Sequence, residues 1–397
     1  MKALTLCAGF GAVDIALTEI GFQVTAIEID PAIAEVNRVN GGDVITADIL
    51  DIDPANYIGY MIVHVSPPCP NFSLAKQWAA ETDLDIALAE KINQFIIICQ
   101  PRFFTMENVW LYRKSKSWAI ILKALQDMGY GVDWWRLNAA DYGIPQTRHR
   151  MIVVARRDGV QPQKPFPTHA KKHDMFTKPW VGWYGSIEDL IPDLPETQFA
   201  SWQLDGLPKV LKTCLWMTYN TNRNGIDNTS GGGFLDVSQP SNAVMADTIT
   251  ANTNQTGVKA FICSSQNTSN SRIARDADEP YFTVVANCLE KNSPPKAFIV
   301  GGQYQSSNKS PNRIPQNRSC DRPIWTITAS DNMDTRAWLS CGKVVAMTTR
   351  CLARFQGFPD WFTLPGDRKL ACRGIGNAVP PGLYRVVLES LGLGGVK

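Results

Sequence analysis

Charge is sparse in this sequence and histidine sparser still. Asp, Glu, Lys and Arg make up 19% of the 397 residues, with only 4 histidines, whereas roughly a quarter of an average soluble protein is charged. The 39 basic and 37 acidic side chains leave a formal charge of +2. Any surface for a polyanion must therefore be local. No stretch approaches the ~18–20 uninterrupted apolar residues of a membrane span. The opening MKALTLCAGFGAVDIAL is broken by glycines and Asp14, so no cleavable leader is expected either. The cysteines form no CxxC pair, and no acidic or sulfur ligands gather near His169 and His173. Reduced thiols, a cytoplasmic setting and no metal are the expectation.

What is present is enough for a large core. Hydrophobic residues reach 44%, and the length suggests roughly two or three domains. Through residue 156, short apolar runs (Ala3–Cys7, Gln23–Ile27, Asp43–Thr46, Met61–Val65, Phe103–Met106, Val132–Leu137, Met151–Ala155) alternate with helical patterns (Val13–Ile20, Ala32–Val39, Leu84–Cys99, Trp118–Met128). Apolar strands separated by helices predict a doubly wound α/β domain, its mostly parallel sheet covered on both faces. From about Gly159 prolines cluster, and a stretch rich in Asn, Ser, Thr and Gly follows. TITAN at Thr248, TVVAN at Thr283 and TITAS at Thr326 repeat, each trailed by a strand-like run at Lys259, Lys296 and Arg336. Repeated hairpins in a β-rich insert, 159–343, are predicted. A polar linker that merely repeats is the alternative. Helical patterns at Ala346–Phe355 and Val379–Leu391 then return the chain to the first domain, so 1–158 and 344–397 form one discontinuous unit.

Chemistry concentrates at the strand ends, where open α/β sheets place ligands. The first strand runs into Gly9-Phe10-Gly11, a tight turn that lacks the full dinucleotide pattern. Glu28-Ile29 ends the second strand and Asp48 follows the third; a carboxylate there can accept from ribose hydroxyls, and Asp48 from an exocyclic amine. An adenosine ligand fits, as do structural glycines with surface acids. Cys69 follows Ser66-Pro67-Pro68, whose fixed backbone could aim a thiol. Glu107 ends the fifth strand, where burial could raise its pKa and let it deliver a proton. Arg148 and Arg150, two apart, would share a face in extended chain and could grip a base oxygen or a phosphate. A solvated charged face is the other reading.

Taken in order, the glycine loop, Glu28, Asp48, SPPCPNFS, MENV, QTRHR, CLARFQGFPDWF (Cys351–Phe362) and GNAVPP (Gly376–Pro381) resemble the DNA (cytosine-5) methyltransferase family across essentially the whole chain. The resemblance implies a Rossmann-like class I methyltransferase fold in which the variable insert recognises the target. It implies S-adenosylmethionine as methyl donor, S-adenosylhomocysteine as product, and a cofactor site lined by Gly9, Phe10, Gly11, Glu28, Ile29, Asp48, Pro68, Asn377 and Val379. Cys69, Glu107, Arg150 and Arg148 would be catalytic: the thiolate adds to carbon 6 of a flipped cytosine, and carbon 5 then accepts the methyl. Duplex DNA is the implied partner of a monomer of bacterial or phage restriction-modification type. Arg272, Arg275, Arg313, Arg318 and Thr326 are the expected DNA contacts. An RNA-acting enzyme of the same fold, a catalytically silent DNA-binding relative and a nucleotide-dependent oxidoreductase are the rivals. Several positions depart from the family pattern: Thr5, Cys7, Pro70 and Cys351 stand where an aspartate, an aromatic, a glutamine and a glutamate are usual.

Overall fold

The computed structural model describes residues 1–68, 81–197, 262–264, 273–275, 297–307, 310–319, 321–324, 326–327, 336–339 and 344–394. Seven strands build one sheet: β1 (Lys2–Leu6), β2 (Gln23–Glu28), β3 (Asp43–Thr46), β4 (Ile62–Val65), β5 (Phe103–Asn108), β6 (Gly131–Asn138) and β7 (His149–Arg156). Their order is β3-β2-β1-β4-β5-β7-β6. β1 to β5 run parallel, and β7 lies antiparallel to both β5 and β6. The winding reverses between β1 and β4, which makes their carboxyl ends the switch point where a ligand is expected.

Helices α1 (Ala12–Glu19), α2 (Pro31–Val39), α3 (Asp83–Cys99), α4 (Lys116–Asp127), α5 (Thr349–Gln356), α6 (Arg368–Asn377) and α7 (Pro381–Ser390) surround the sheet. Alternate side chains of each strand meet different helices. Leu4, Leu6, Val63 and Val65 join Leu88, Ile92, Phe95 and Ile121 of α3 and α4 on one face. Ala3 and Ile62 join Leu17 of α1 with Leu383 and Val387 of α7 on the other. Burial on both faces explains why these strands read as continuous apolar runs.

The second face carries a polar interruption. Strand register aligns Thr5 with His64 and His64 with Thr105, and all three are buried. Buried polar groups are mostly hydrogen-bonded, as His64 and Thr105 are here. His64 Nδ1 lies 2.9 Å from Thr105 Oγ1, its Nε2 3.0 Å from Ser66 Oγ, and Thr105 Oγ1 2.7 Å from the Tyr384 hydroxyl on α7. Burial pushes the His64 pKa down to about 3, so the ring is neutral.

A third cluster joins the two ends of the chain. Phe10 of the glycine loop packs with Ile324, Ile327, Val345, Phe355, Phe362 and Ile375. Gly374 inside α6 leaves no room beside it: a Cβ there would lie 2.1 Å from Phe10 Cζ.

Short strands follow the main sheet. β8 (His169–Ala170) pairs with β9 (Lys178–Pro179), and β10 (Ile262–Ser264) with β11 (Ile273–Arg275). β12 (Ala297–Ser307), β13 (Ser310–Ser319), β14 (Arg336–Leu339) and β15 (Val344–Ala346) form a sheet ordered β13-β12-β14-β15. The runs predicted from Lys259, Lys296 and Arg336 overlap β10, β12 and β14. The TITAN and TVVAN copies lie outside the described residues. Near the return, the expected helix at Ala346 is corrected. Ala346 ends a strand on β14, and α5 starts after Thr348, whose side chain accepts from the Cys351 amide. Helix α6 was not foreseen, because its two interior glycines weaken the helical signal. The last helix begins at Pro381, a residue suited to a first turn.

Candidate functional site

The carboxyl ends of β1 and β2 make a concave turn. Cys7, Gly9 and Gly11 all have positive φ (56°, 60° and 77°), a conformation glycine adopts without strain. A Cβ on Gly9 would meet nothing within 4 Å, so space lies open above it, whereas one on Gly11 would strike Asn37. Glu28 is buried and accepts from the Gly9 amide at 2.9 Å and the Asp30 amide at 3.0 Å, which fixes its carboxylate beside the turn. Beside it Ile29 is 61% exposed, an apolar surface next to an acid. Asp48 accepts from the Leu50 amide through one oxygen. Cys7 feels this acidic setting: burial first, then Glu28 and Asp48, push its thiol up to about 12. At neutral pH the thiol is protonated.

Not every expected lining side chain faces this space. Phe10 is 1% exposed and Val379 3%, so their side chains belong to the core and only their backbone could border this space. Asn377 is exposed at the end of α6, and Pro68 is exposed in the strap that follows β4. Arg373 of α6 pairs with Asp30 at 2.7 Å, tying the C-terminal segment to the end of β2. Cys351, where a glutamate is usual, is a buried core thiol beside the Thr348 hydroxyl.

A second group gathers at the carboxyl end of β5. Glu107 is 6% exposed, and its Oε1 lies 2.8 Å from Arg150 Nε. Burial raises the Glu107 pKa; Arg150 and Arg148 pull it down but do not cancel the desolvation. The next residue, Asn108, donates to Pro67 O at 3.1 Å and accepts from the Val109 amide. This holds the Ser66–Pro68 strap against β5. Cys69 itself lies outside the described residues, as does the rest of 69–80. The Glu81 carboxylate accepts from the Lys116 and Ser117 amides at 2.8 and 2.6 Å.

Arg148 lies deeper than Arg150. It is 1% exposed and donates to Ile327 O at 3.0 Å and Gly376 O at 2.9 Å. Thr326 is likewise a tie: its hydroxyl donates to Thr147 O at 2.8 Å, and Ile324 exchanges backbone bonds with Pro145 and Thr147. Gln146 and Gln356, both missed in the sequence, complete the junction with a 2.7 Å bond. Arg148 and Thr326 thus act as struts that join three distant segments. Among the other expected DNA contacts, Arg275 is on β11, Arg313 and Arg318 on β13, and Arg272 lies outside the described residues.

Replacing Arg148 by Met should leave the Ile327 and Gly376 carbonyls unsatisfied and cost roughly 2–5 kcal/mol of stability. Denaturant unfolding reads this directly. A lowered kcat at an unchanged unfolding midpoint would instead put Arg148 at the substrate.

Among the described residues no group of three or more His, Cys, Asp or Glu could hold a metal, and no helix is long and apolar enough to cross a membrane. Residues 1–393 match the family of C-5 cytosine-specific DNA methylases. Among curated proteins, the chain is 32% identical to the type II methyltransferase M.AquIA of Picosynechococcus sp. over 49% of this chain and 89% of that one. It is 24% identical to M.XorII of Xanthomonas oryzae pv. oryzae over 97% and 82%. With M1.HphI of Haemophilus parahaemolyticus the 30% identity spans 49% of this chain and 52% of that one. The solved structure of the Schizosaccharomyces pombe Dnmt2 methyltransferase is similar in fold, with a TM-score of 0.52 at 15% identity over 98% and 99% of the two chains.

Proposed function

Because the chain belongs to the C-5 cytosine-specific DNA methylase family, we propose that it transfers a methyl group from S-adenosylmethionine to carbon 5 of cytosine in duplex DNA. The observation that carries this reading is the buried Glu107–Arg150 pair beside the strap leading to Cys69. It sets a proton-holding acid and a fixed cation at the sheet edge where the Ser66–Pro68 strap, which precedes Cys69 in sequence, is held.

The residues present fit the donor. Open space above Gly9, the fixed Glu28 carboxylate, exposed Ile29 and the free oxygen of Asp48 suit a ribose diol and a flat apolar base. Pro68 and Asn377 would close the site. When bound, the donor supplies a methyl on a positively charged sulfur, with a neutral thioether as leaving group.

Carbon 5 of cytosine is too poor a nucleophile to take a methyl unaided. Attack of the Cys69 thiolate forms a sulfur–carbon 6 bond and moves the ring electrons toward carbon 5 and nitrogen 3. Glu107 gives its proton to nitrogen 3, so no charge is left stranded in the ring. Arg150 holds the base oxygen and the ionised Glu107 that results. After methylation a base takes the carbon-5 proton, the thiolate leaves as the carbon 5–carbon 6 double bond re-forms, and nitrogen 3 returns its proton to Glu107, which restores both the aromatic ring and the acid. Since Glu107 is buried at the sheet edge, the base must leave the helix stack to reach it, at a cost of a few kcal/mol. The insert 159–343 would read the flanking sequence.

Labelled methyl transfer from S-adenosylmethionine tests the proposal. Duplex DNA is expected to take up label at cytosine, and tRNA is not. Label in tRNA alone would favour the RNA-acting rival, and none in either the silent relative.

A further inference from the structure

One surface element has no part in that chemistry. The chain from Lys164 to Lys178 carries Lys164, Lys171, Lys172 and Lys178 against a single acid, Asp174. The charge missing from the sequence as a whole is concentrated here. The same segment exposes Phe166 (87%), Met175 (88%) and Phe176 (83%). Apolar side chains this exposed in one short stretch mark a contact surface.

The turn that presents them is built rather than loose. Asp174 Oδ1 accepts from the Phe176 amide at 2.9 Å, the Thr177 amide at 3.0 Å and the Thr177 hydroxyl at 2.9 Å. These bonds all fall on one oxygen of the carboxylate and fix the turn, on which Met175 and Phe176 are exposed, with exposed Lys171, Lys172 and Lys178 flanking them. At its base, β8 pairs with β9, the Thr168 amide donates to Asp141 O at 3.0 Å, and Trp180 Nε1 donates to Asp141 Oδ1 at 2.9 Å. Asp141 belongs to the connection between β6 and β7. Asn138 of β6 pairs with His149, and Met151 with Asn108. The turn is thus rooted at the same sheet edge as Glu107 and Arg150.

We propose that this turn is a sequence-independent DNA-backbone arm: Lys171, Lys172 and Lys178 pair with phosphates of the duplex flanking the target base, and Met175 and Phe176 pack on the deoxyribose faces between them. The inference rests on the duplex-DNA reading above. Charge complementarity selects DNA over a second copy of this chain, because two such turns would repel each other. Phosphate contacts position a protein without reading sequence, which matches a surface with lysines and apolar side chains but no amide group.

The test is duplex binding by the full chain as a function of salt. For Lys171→Gln/Lys172→Gln the slope of log K against log salt should fall by about two, roughly one per lost phosphate contact. Affinity should drop roughly tenfold at low salt, equally on target and scrambled duplexes. Met175→Ser/Phe176→Ser should weaken binding with the slope unchanged. Both variants should keep kcat at saturating DNA and raise KM for DNA. An unaltered slope in the lysine variant, or loss on the target duplex alone, would overturn the arm. So would dissociation of a wild-type dimer by either change in sedimentation, which would make the turn a contact between copies. Absence of duplex binding by the wild type would overturn the DNA reading itself.

Discussion

Cys69→Ser should abolish methyl transfer, lowering kcat by about four orders of magnitude or more, while duplex affinity stays within about twofold. The argument is electronic. A serine hydroxyl at neutral pH is almost wholly protonated, and the reaction needs an anion to add to carbon 6. A neighbouring imidazole could in principle deprotonate it. His64, on the strand that feeds this loop, is not free to do so: both ring nitrogens are engaged, by Thr105 and by Ser66. Its buried neutral state supports the strap rather than the chemistry. Single-turnover transfer from labelled donor gives the rate, and a duplex carrying 5-fluorocytosine gives the adduct. Wild type should be trapped covalently and the serine variant should not. Comparable methylation by Cys69→Ser would falsify the covalent route, whatever the family.

The sheet was readable because its strands are buried on both faces. Runs such as Met61–Val65 and Phe103–Met106 carry few polar interruptions, and their bounds differ from β4 and β5 by a residue or two. Charged residues at strand ends were legible for the same reason. Glu28 and Glu107 stand where apolar texture stops. What a single sequence hides is which distant segments meet. Nothing in QTRHR says that its first arginine will reach carbonyls of residues 327 and 376 while its second pairs with Glu107. The period-two argument put both guanidiniums on one face, and tertiary contacts then gave them different work. Gln146 with Gln356, and His64 with Tyr384, are further cases. Each is a polar side chain whose meaning depends on a partner more than 200 residues away. One signal was available in hindsight. His64 and Thr105 are polar residues inside otherwise apolar strand runs, and buried polar groups require bonding partners.

Replacing Glu107 by Gln should lower kcat by roughly 10²–10⁴-fold and remove a pH-dependent component of both rate and stability. An amide can still donate a hydrogen bond to nitrogen 3 of the base, but it cannot transfer a proton. Hydrogen bonding alone leaves the developing charge only partly relieved. In the wild type, burial holds the Glu107 proton to higher pH than an ordinary glutamate would, and the Arg150 contact opposes this without reversing it. The transfer rate should therefore decline as pH rises through that raised value, and the glutamine variant should lose this limb while keeping the rise that reports thiol ionisation. Stability follows the same proton. A carboxyl that binds it more tightly folded than unfolded contributes its full stabilisation below the ordinary glutamate range, and that contribution is lost as pH rises through the folded value. Urea unfolding across this window should slope downward for wild type more steeply than for Glu107→Gln. Equal slopes, with kcat within a few-fold of wild type, would mean that the proton on nitrogen 3 comes from elsewhere and that Glu107 serves only to orient Arg150.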